Sequence, residues 1–85
     1  MYSIFLTPRA IRDLDNIPRD VQRKIADVFE TRLKHDPFSH SLDIKKLKKP
    51  EVDYRLRIGD YRVLYGLKKD LIIVYKIRHR KDAYK

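Results

Sequence analysis

Residues 54–78 read YRLRIGDYRVLYGLKKDLIIVYKIR, and this stretch decides the fold. Apolar and basic residues alternate on both sides of Gly59-Asp60, which is typical of two β-strands that each bury one face. Gly-Asp also favours a two-residue turn, because glycine readily takes the positive φ needed at the first position of a type II′ turn. The sequence therefore predicts an antiparallel hairpin.

The length of the turn determines which residues of the hairpin lie opposite one another. On one face the prediction is apolar, and it pairs Ile58 with Tyr61, Leu56 with Val63 and Tyr54 with Tyr65. On the other face Arg57 lies opposite Arg62, with Arg55 alongside. The hairpin is thus expected to carry an arginine cluster on the face that the apolar residues leave free.

A third strand is predicted where the chain becomes apolar again, from Leu71 to Arg78. Its first half is a continuous apolar run, as in a central strand covered on both faces. We expect Ile73, Tyr75 and Ile77 to face the helices. That orientation sends Lys76 and Arg78 toward the arginine side of the hairpin.

The N-terminal half has helical signals. Residues 2–7 alternate and predict a short strand, and Thr7-Pro8 then indicates a helix start, with Thr7 as the N-cap. A second helix is predicted from Pro18 to Asp36, because its apolar residues recur at helical spacing. These residues are Val21, Ile25, Val28, Phe29 and Leu33. Residues 37–52 have no sustained period and are expected to form a surface loop.

Together these elements predict a single α+β domain over residues 1–85. Its order is an N-terminal strand, a helical hairpin and an antiparallel meander. The expected result is a sheet of about four strands with the helices packed on one face and a basic face opposite.

Composition narrows the possible functions. The chain has 85 residues and no Cys, so its core is too thin for a large buried cofactor and it has no thiol chemistry. Its three His are scattered in sequence, and we expect neither a metal site nor a cofactor. No run approaches the roughly 18 apolar residues of a membrane span. We therefore expect a soluble cytoplasmic protein with no membrane partner.

The net charge of +9 comes from one half of the chain. Residues 1–44 hold seven basic and seven acidic side chains, whereas residues 45–85 hold fourteen basic and five acidic ones. A basic half of this kind favours an anionic partner, which could be a nucleic acid, an acidic protein or an anionic lipid surface. An exposed strand face that is merely solvated is the plainer interpretation of Arg55 and Arg57.

Arginines that converge on one point suit phosphate chemistry. The guanidinium fork binds phosphate oxygens in pairs, and several forks stabilise the added charge of a phosphorane-like transition state. Metal-free cleavage of RNA needs such cations together with a base and an acid for proton transfer. His79 and Tyr84 are candidates for these proton transfers, and Tyr84 could alternatively stack on an unpaired base.

The order of elements and three motifs resemble the RelE/ParE superfamily of toxins, and its RelE branch most closely. The motifs are the Tyr-Arg-Leu-Arg strand, the Gly-Asp-Tyr-Arg turn and strand, and the final His-Arg-Lys-Asp-Ala-Tyr. The resemblance implies a toxin of a type II toxin-antitoxin system that enters the ribosomal A site and cuts the bound mRNA without metal. The implied reaction is attack of a 2′-hydroxyl on the adjacent phosphate. The implied partners are a RelB-like antitoxin, a 70S-type ribosome with A-site mRNA, and rRNA.

The resemblance also implies roles for individual residues. Arg55 and Arg57 match a basic pair that contacts the scissile phosphate and helps activate the nucleophile. Arg62 matches the arginine that stabilises the transition state, and Arg78 matches a basic residue proposed as the general acid. The catalytic set is completed by His79 and by Tyr84, which matches a tyrosine that stacks on the codon or aids proton transfer. Further contacts to RNA phosphates are expected from Arg80, Lys76, Lys45, Lys46, Lys48 and Lys49.

One departure from the family pattern concerns the strand that carries Arg55 and Arg57. Both positions are Lys in the best-known relatives. Arginine retains the positive charge but rarely gives up its proton, so a proton-abstracting role is less suited to it.

Two other functions are compatible with the same resemblance. A ParE-like protein would inhibit DNA gyrase by binding and would cleave nothing. An inactive member of the family would bind only its antitoxin or RNA.

Overall fold

The computed structural model describes residues 1–81. Its elements are β1 (Ser3–Leu6), α1 (Pro8–Asp15), α2 (Arg19–Val28), β2 (Asp43–Lys46), β3 (Tyr54–Ile58), β4 (Tyr61–Lys68) and β5 (Leu71–His79). Helix α2 continues into a π-helical turn over Phe29–Leu33. The sheet has the order β1-β5-β4-β3-β2. The predicted α+β class, with an N-terminal strand, a helical hairpin and a C-terminal meander, is confirmed.

The helical half follows the signals in the sequence. The Thr7 hydroxyl accepts a hydrogen bond from the Ala10 N–H at 3.1 Å, and Pro8 is the first residue of α1. Thr7 is therefore the N-cap, as predicted, and satisfies one of the amides that a helix start leaves without a partner. The apolar stripe of the second helix buries Ile25, Phe29 and Leu33.

The sheet has five strands rather than the four predicted. The additional strand is β2, which pairs antiparallel with β3 inside the segment expected to be a loop. Its alternation is short, since only Ile44 packs toward the core between the exposed Asp43 and Lys45. Charged residues are common on edge strands because they discourage further pairing. In β2 three of the four residues are charged, so the sequence does not show the apolar alternation that predicts a strand.

The sheet is mixed rather than wholly antiparallel. Strand β1 pairs parallel with β5, with Ser3 opposite Leu71 and Leu6 opposite Val74. Because α1 and α2 lie between these strands in the chain, the connection is long enough for a parallel pairing. This places β5, the longest strand, between β1 and β4.

The β3–β4 hairpin has the predicted register. Ile58 pairs with Tyr61, and Gly59 in the two-residue turn has a φ of 57°. Arg57 lies opposite Arg62, as expected from the turn length. Leu56, Val63 and Tyr65 are fully buried against the helices.

The orientation of β5 was predicted correctly only in its second half. Ile72, Val74 and Ile77 are the residues buried in the core, so the expectation that Ile73 and Tyr75 face the helices is wrong. The reason is a β-bulge: Leu64 pairs with Lys76 but Tyr65 pairs with Val74, so Tyr75 is left out of the ladder. One extra residue reverses the alternation, which a strict period of two cannot anticipate.

No helix within residues 1–81 is long and apolar enough to cross a membrane.

Candidate functional site

Three arginines lie side by side on the face of the sheet opposite the helices, and we call them the arginine row. Arg57 on β3 pairs with Arg62 on β4, and Arg62 pairs with Arg78 on β5. Like charges directly opposite each other on a sheet are destabilising, by roughly 0.2–1 kcal/mol per pair. The row therefore favours the binding of an anion. Its formation confirms that Arg78 lies on the face of the hairpin arginines.

Asp43, which was not predicted as a site residue, lies next to Arg57 at one end of the arginine row. Asp43 on β2 is the register partner of Arg57. Its Oδ1 accepts a hydrogen bond from Arg55 Nη2 at 2.9 Å, and its Oδ2 lies 3.7 Å from Arg57 Nε. The alternation of Asp43, Ile44 and Lys45 was the only available signal for this position.

Arg55 is less exposed to solvent than its neighbour Arg57. Its side chain is only 18% exposed, whereas that of Arg57 is 54% exposed. Within the described part of the chain, the buried Nε atom of Arg55 has no hydrogen-bond partner. Arg55 thus presents a largely buried positive charge beside the row, and Arg57 presents a more accessible one.

Two cavities open on this face, and Arg62 lines both of them. The larger, of about 360 Å³, is also lined by Arg57, Gly59, Asp60, Arg80 and Lys81. The smaller, of about 130 Å³, is lined by Leu47, Lys49, Arg55, Leu64 and Arg78 in addition to Arg62. A ligand phosphate at Arg62 would accordingly meet guanidinium groups on several sides.

The segment after β2 packs against this face of the sheet at Gly66, where only a glycine leaves room for it. A side chain at Gly66 would collide with the carbonyl oxygen of Glu51, because the segment after β2 crosses the sheet at that point. The Leu67 N–H donates to Asp53 Oδ2 at 3.1 Å and holds the crossing in place. This path brings Lys49 to the smaller cavity.

The remaining predicted phosphate ligands are distributed unevenly. Lys45 and Lys76 occupy register positions on the face of the arginine row. Lys46 instead lines a groove beside Phe38 on the other side of the sheet, and Lys48 is exposed in the segment after β2. Arg80 lines the larger cavity, with its Nε 3.8 Å from Asp60 Oδ1.

His79 is not part of the row. It pairs with Tyr61, and its ring packs edge-on against the tyrosine ring at a centroid distance of 5.1 Å. Its Nδ1 accepts a hydrogen bond from the Lys81 N–H at 3.2 Å, an arrangement that leaves the proton of a neutral ring on Nε2. Tyr84 lies outside the described residues.

Metal-binding side chains are dispersed in the part of the chain that the structure describes. No group of three or more His, Asp or Glu side chains among residues 1–81 is arranged to hold a metal ion.

Comparison with known proteins places the chain in a family. Residues 4–84 match the family model described as the ParE toxin of the type II toxin-antitoxin system, parDE. The chain belongs to the ParE toxin family, within the RelE/ParE superfamily. The predicted resemblance is therefore confirmed.

Individual relatives of this toxin chain have RelE names. It is 37% identical over 87 residues to a Methanocaldococcus jannaschii protein named RelE1, a match that covers 99% of this chain and 96% of that protein. Toxin RelE3 of the same organism is 32% identical over 75 residues, covering 87% of this chain and 85% of the relative. The chain is thus RelE-like within the superfamily.

Solved structures of RelE toxins have the same fold. The RelB-RelE antitoxin-toxin complex from Methanococcus jannaschii matches with a TM-score of 0.79 and 29% identity, covering 94% of both chains. The archaeal RelE-RelB complex from Pyrococcus horikoshii matches with a TM-score of 0.76 and 28% identity, covering 93% of this chain and 94% of that chain.

Proposed function

We propose that this RelE-like toxin is a ribosome-dependent endoribonuclease that cleaves mRNA in the A site without a metal ion. The observation that supports the proposal is the arginine row. Three guanidinium groups on neighbouring strands, beside the two cavities that Arg62 lines, suit a phosphodiester better than they suit a neutral substrate. The two relatives described above are named as RelE toxins, which supports a RelE-like toxin.

The proposed reaction is an internal transesterification. The 2′-oxygen of the RNA forms a bond to the adjacent phosphorus, and the bond from phosphorus to the 5′-oxygen of the next nucleotide breaks. The 2′-hydroxyl loses its proton to a base, and the leaving 5′-oxygen gains one from an acid. The products are a 2′,3′-cyclic phosphate and a 5′-hydroxyl end.

The arginines would act on the charge that accumulates in this reaction. Arg62, at the centre of the row, is proposed to bind the non-bridging phosphate oxygens, with Arg57 on one side and Arg78 on the other. Their N–H donors would stabilise the negative charge that develops on these oxygens in the transition state. Arg55, held by Asp43, is proposed to strengthen the positive potential below them.

The proton transfers are proposed for residues at the C-terminal end, on the resemblance to the family. Arg78 is proposed as the acid, and Tyr84 as a group that stacks on the codon or aids proton transfer. The geometry does not support His79 in a direct role, because its ring packs on Tyr61 across the sheet from the row. A guanidinium is already protonated and cannot accept a proton, so the proton acceptor is not proposed from the row. Arg78 as the acid would give its proton only to the leaving 5′-alkoxide, which is a stronger base than a neutral guanidine.

The proposed partners follow from the charge of the same face. The M. jannaschii and P. horikoshii relatives were solved as complexes with a RelB antitoxin. We propose a RelB-like antitoxin for this chain, with an acidic or amphipathic segment that neutralises the arginine row. The ribosome, its A-site mRNA and rRNA are the proposed cytoplasmic target, contacted through Arg80, Lys45, Lys49 and Lys76.

A second candidate function is inhibition of DNA gyrase by binding alone. The family model that matches residues 4–84 is that of the ParE toxin, and this observation favours it. A third is an inactive family member that binds its antitoxin or RNA.

The test is primer extension on an mRNA in a reconstituted translation reaction, with and without ribosomes. We expect cuts in A-site codons only when ribosomes are present. Arg62→Ala should lower the cleavage rate about 100-fold, because it removes donors aimed at the transition state, and Tyr84→Phe should also lower it. Arg23→Ala, which removes an exposed arginine from α2, is the matched control and should cleave as the wild type does.

Two results would contradict the nuclease. One is the absence of cuts by folded wild-type protein in a reaction with active ribosomes. The other is equal loss of cleavage in Arg62→Ala and Arg23→Ala, which would indicate a general charge effect. A gyrase supercoiling assay would then decide between the ParE-like function and the inactive form.

A further inference from the structure

The bulge at Tyr75 determines which side chains of β5 reach the arginine row. Val74 points into the core. If the strand continued from it without a bulge, strict alternation would turn Lys76 and Arg78 toward the helices and Ile77 outward. Because Tyr75 is left out of the ladder, Ile77 is buried and Arg78 lies opposite Arg62. The geometry of the row therefore depends on the bulge.

The bulge lies where β5 loses its neighbour on one side. Strand β1 ends at Leu6, opposite Val74, and the Thr7 N–H donates to the Val74 carbonyl oxygen at 3.0 Å. Beyond this point α1, rather than a strand, packs along that side of β5. The backbone groups that follow Val74 consequently need partners from α1 and its cap.

Two side chains supply those partners. The Thr7 hydroxyl donates to the Tyr75 carbonyl oxygen at 3.0 Å, and Asp13 Oδ2 accepts from the Ile77 N–H at 3.0 Å. Both contacts are partly buried, where an unpaired backbone group is costly. The second oxygen of Asp13 lies 3.2 Å from the Nε of the more exposed Arg9. Asp13 therefore uses one carboxylate oxygen, Oδ2, to accept a hydrogen bond from the strand next to the bulge.

We propose that Asp13 is a positioning residue for the nuclease site. Its carboxylate holds the Ile77 N–H, keeps the bulge at Tyr75, and so keeps the Arg78 side chain beside Arg62. The effect on cleavage rests on the proposed function, whereas the effect on the bulge does not. Thr7 supports the same bulge but also caps α1, which makes Asp13 the cleaner position to test.

The experiment compares three variants of the full chain. Asp13→Ala removes the acceptor, and Asp13→Asn keeps an acceptor oxygen for the Ile77 N–H while losing the charge. Asp15→Ala is the matched control, because it removes an exposed carboxylate from the same helix. Amide hydrogen exchange followed by NMR reports the Ile77 N–H directly. Ribosome-dependent cleavage reports kcat and KM.

We expect Ile77 to exchange about tenfold faster or more in Asp13→Ala, and at close to the wild-type rate in Asp13→Asn and Asp15→Ala. Cleavage by Asp13→Ala should lose about tenfold in kcat with KM within about twofold, because a displaced Arg78 weakens mainly the transition state. Asp13→Asn should recover kcat to within about threefold. A general loss of stability would instead speed exchange at core amides throughout the sheet, so faster exchange confined to Ile77 separates positioning from stability.

A folded Asp13→Ala protein with a protected Ile77 amide and wild-type kcat would overturn the proposal, as would failure of Asp13→Asn to restore Ile77 protection. If the wild type cleaves nothing, the nuclease proposal fails, but Ile77 exchange still decides the role of Asp13 in the bulge. Should Asp13→Ala not fold, Asp13→Glu shifts the carboxylate by one methylene group at constant charge. It should then show faster Ile77 exchange, and wild-type exchange would reject the proposal.

Discussion

Two neighbouring rows of side chains cross the same three strands and have opposite properties. Leu56, Val63 and Ile77 form an inner row, in which the register pairs Leu56 with Val63 and Val63 with Ile77. All three are buried against the helices. One position further along, the arginine row faces away from the helices. The backbone pairing is the same for both rows, so the differences between them come from the side chains.

The comparison separates stability from function. The inner row stabilises the fold, because each buried aliphatic side chain contributes roughly 1.5–3 kcal/mol through removal from water. The arginine row opposes folding through repulsion between like charges, and the binding of an anion would relieve that repulsion. Substitutions in the two rows should accordingly change different measured quantities.

The largest expected effect is on the inner row. Leu56→Ala should lower the free energy of unfolding by about 2–5 kcal/mol, because Leu56 is fully buried and its truncation leaves a cavity. Urea denaturation followed by circular dichroism measures the change. Leu64→Ala, on the arginine side of the sheet and only half-buried, is the control and should cost less than half as much. Equal losses in the two variants would show that the two faces are not energetically distinct.

The same contrast explains how far the sequence predicted this molecule. The inner and outer positions of β3 and β4 followed from alternation and one Gly-Asp turn, because a two-residue loop leaves a single register. The helix start at Thr7 followed in the same way from local hydrogen bonding. For these elements, neighbouring residues in the chain contain all the information needed.

The errors occurred where the decisive partner is distant in sequence. The bulge at Tyr75 is stabilised by Thr7 and Asp13, more than sixty residues away, so local alternation gave the wrong face for Ile73. Strand β2 forms because β3 offers it an edge, and its four residues are too few for a clear period. Asp43 was missed for the same reason.

A smaller effect is expected from the buried hydroxyl of Tyr65, on the helix side of the sheet. It donates to the Pro37 carbonyl oxygen at 2.7 Å, and Tyr65→Phe should lower the free energy of unfolding by about 1–2 kcal/mol. Burial, with smaller contributions from Tyr54 and Asp36, raises the pKa of Tyr65 above its ordinary value of 10.0. The folded state therefore holds this proton more tightly than the unfolded chain does.

The sign of the pH dependence follows from that shift. Below the unfolded pKa, near pH 10, the hydroxyl contributes its full stability. At higher pH the unfolded chain ionises while the folded state stays protonated, so stability falls as pH rises. The free-energy difference between wild type and Tyr65→Phe should be constant up to about pH 9 and should narrow as the pH rises from about 9.5 to 11 in urea titrations. Parallel curves over this range would contradict a buried, protonated Tyr65.

The smallest expected effect concerns Asp43. Among the described residues, it is the one carboxylate that pairs in register with a member of the arginine row, Arg57. The contacts of Asp43 with Arg55 and Arg57 involve a half-exposed carboxylate and contribute about 1 kcal/mol to stability. The same carboxylate competes with a phosphate for those guanidinium groups. Asp43→Asn should therefore bind single-stranded RNA a few-fold more tightly at low salt. The substitution would thus raise RNA affinity even if it slightly lowers the free energy of unfolding.

Salt dependence distinguishes this local competition from a general change in charge. If one more arginine becomes available to a phosphate, the slope of log affinity against log salt should steepen by about 0.7. Asp27→Asn removes the same charge from the exposed side of α2, and it should leave the slope unchanged. Fluorescence anisotropy with a labelled oligonucleotide measures both variants. Equal slopes would mean that Asp43 does not compete for the row, and that its pairing with Arg55 serves the edge of the sheet alone.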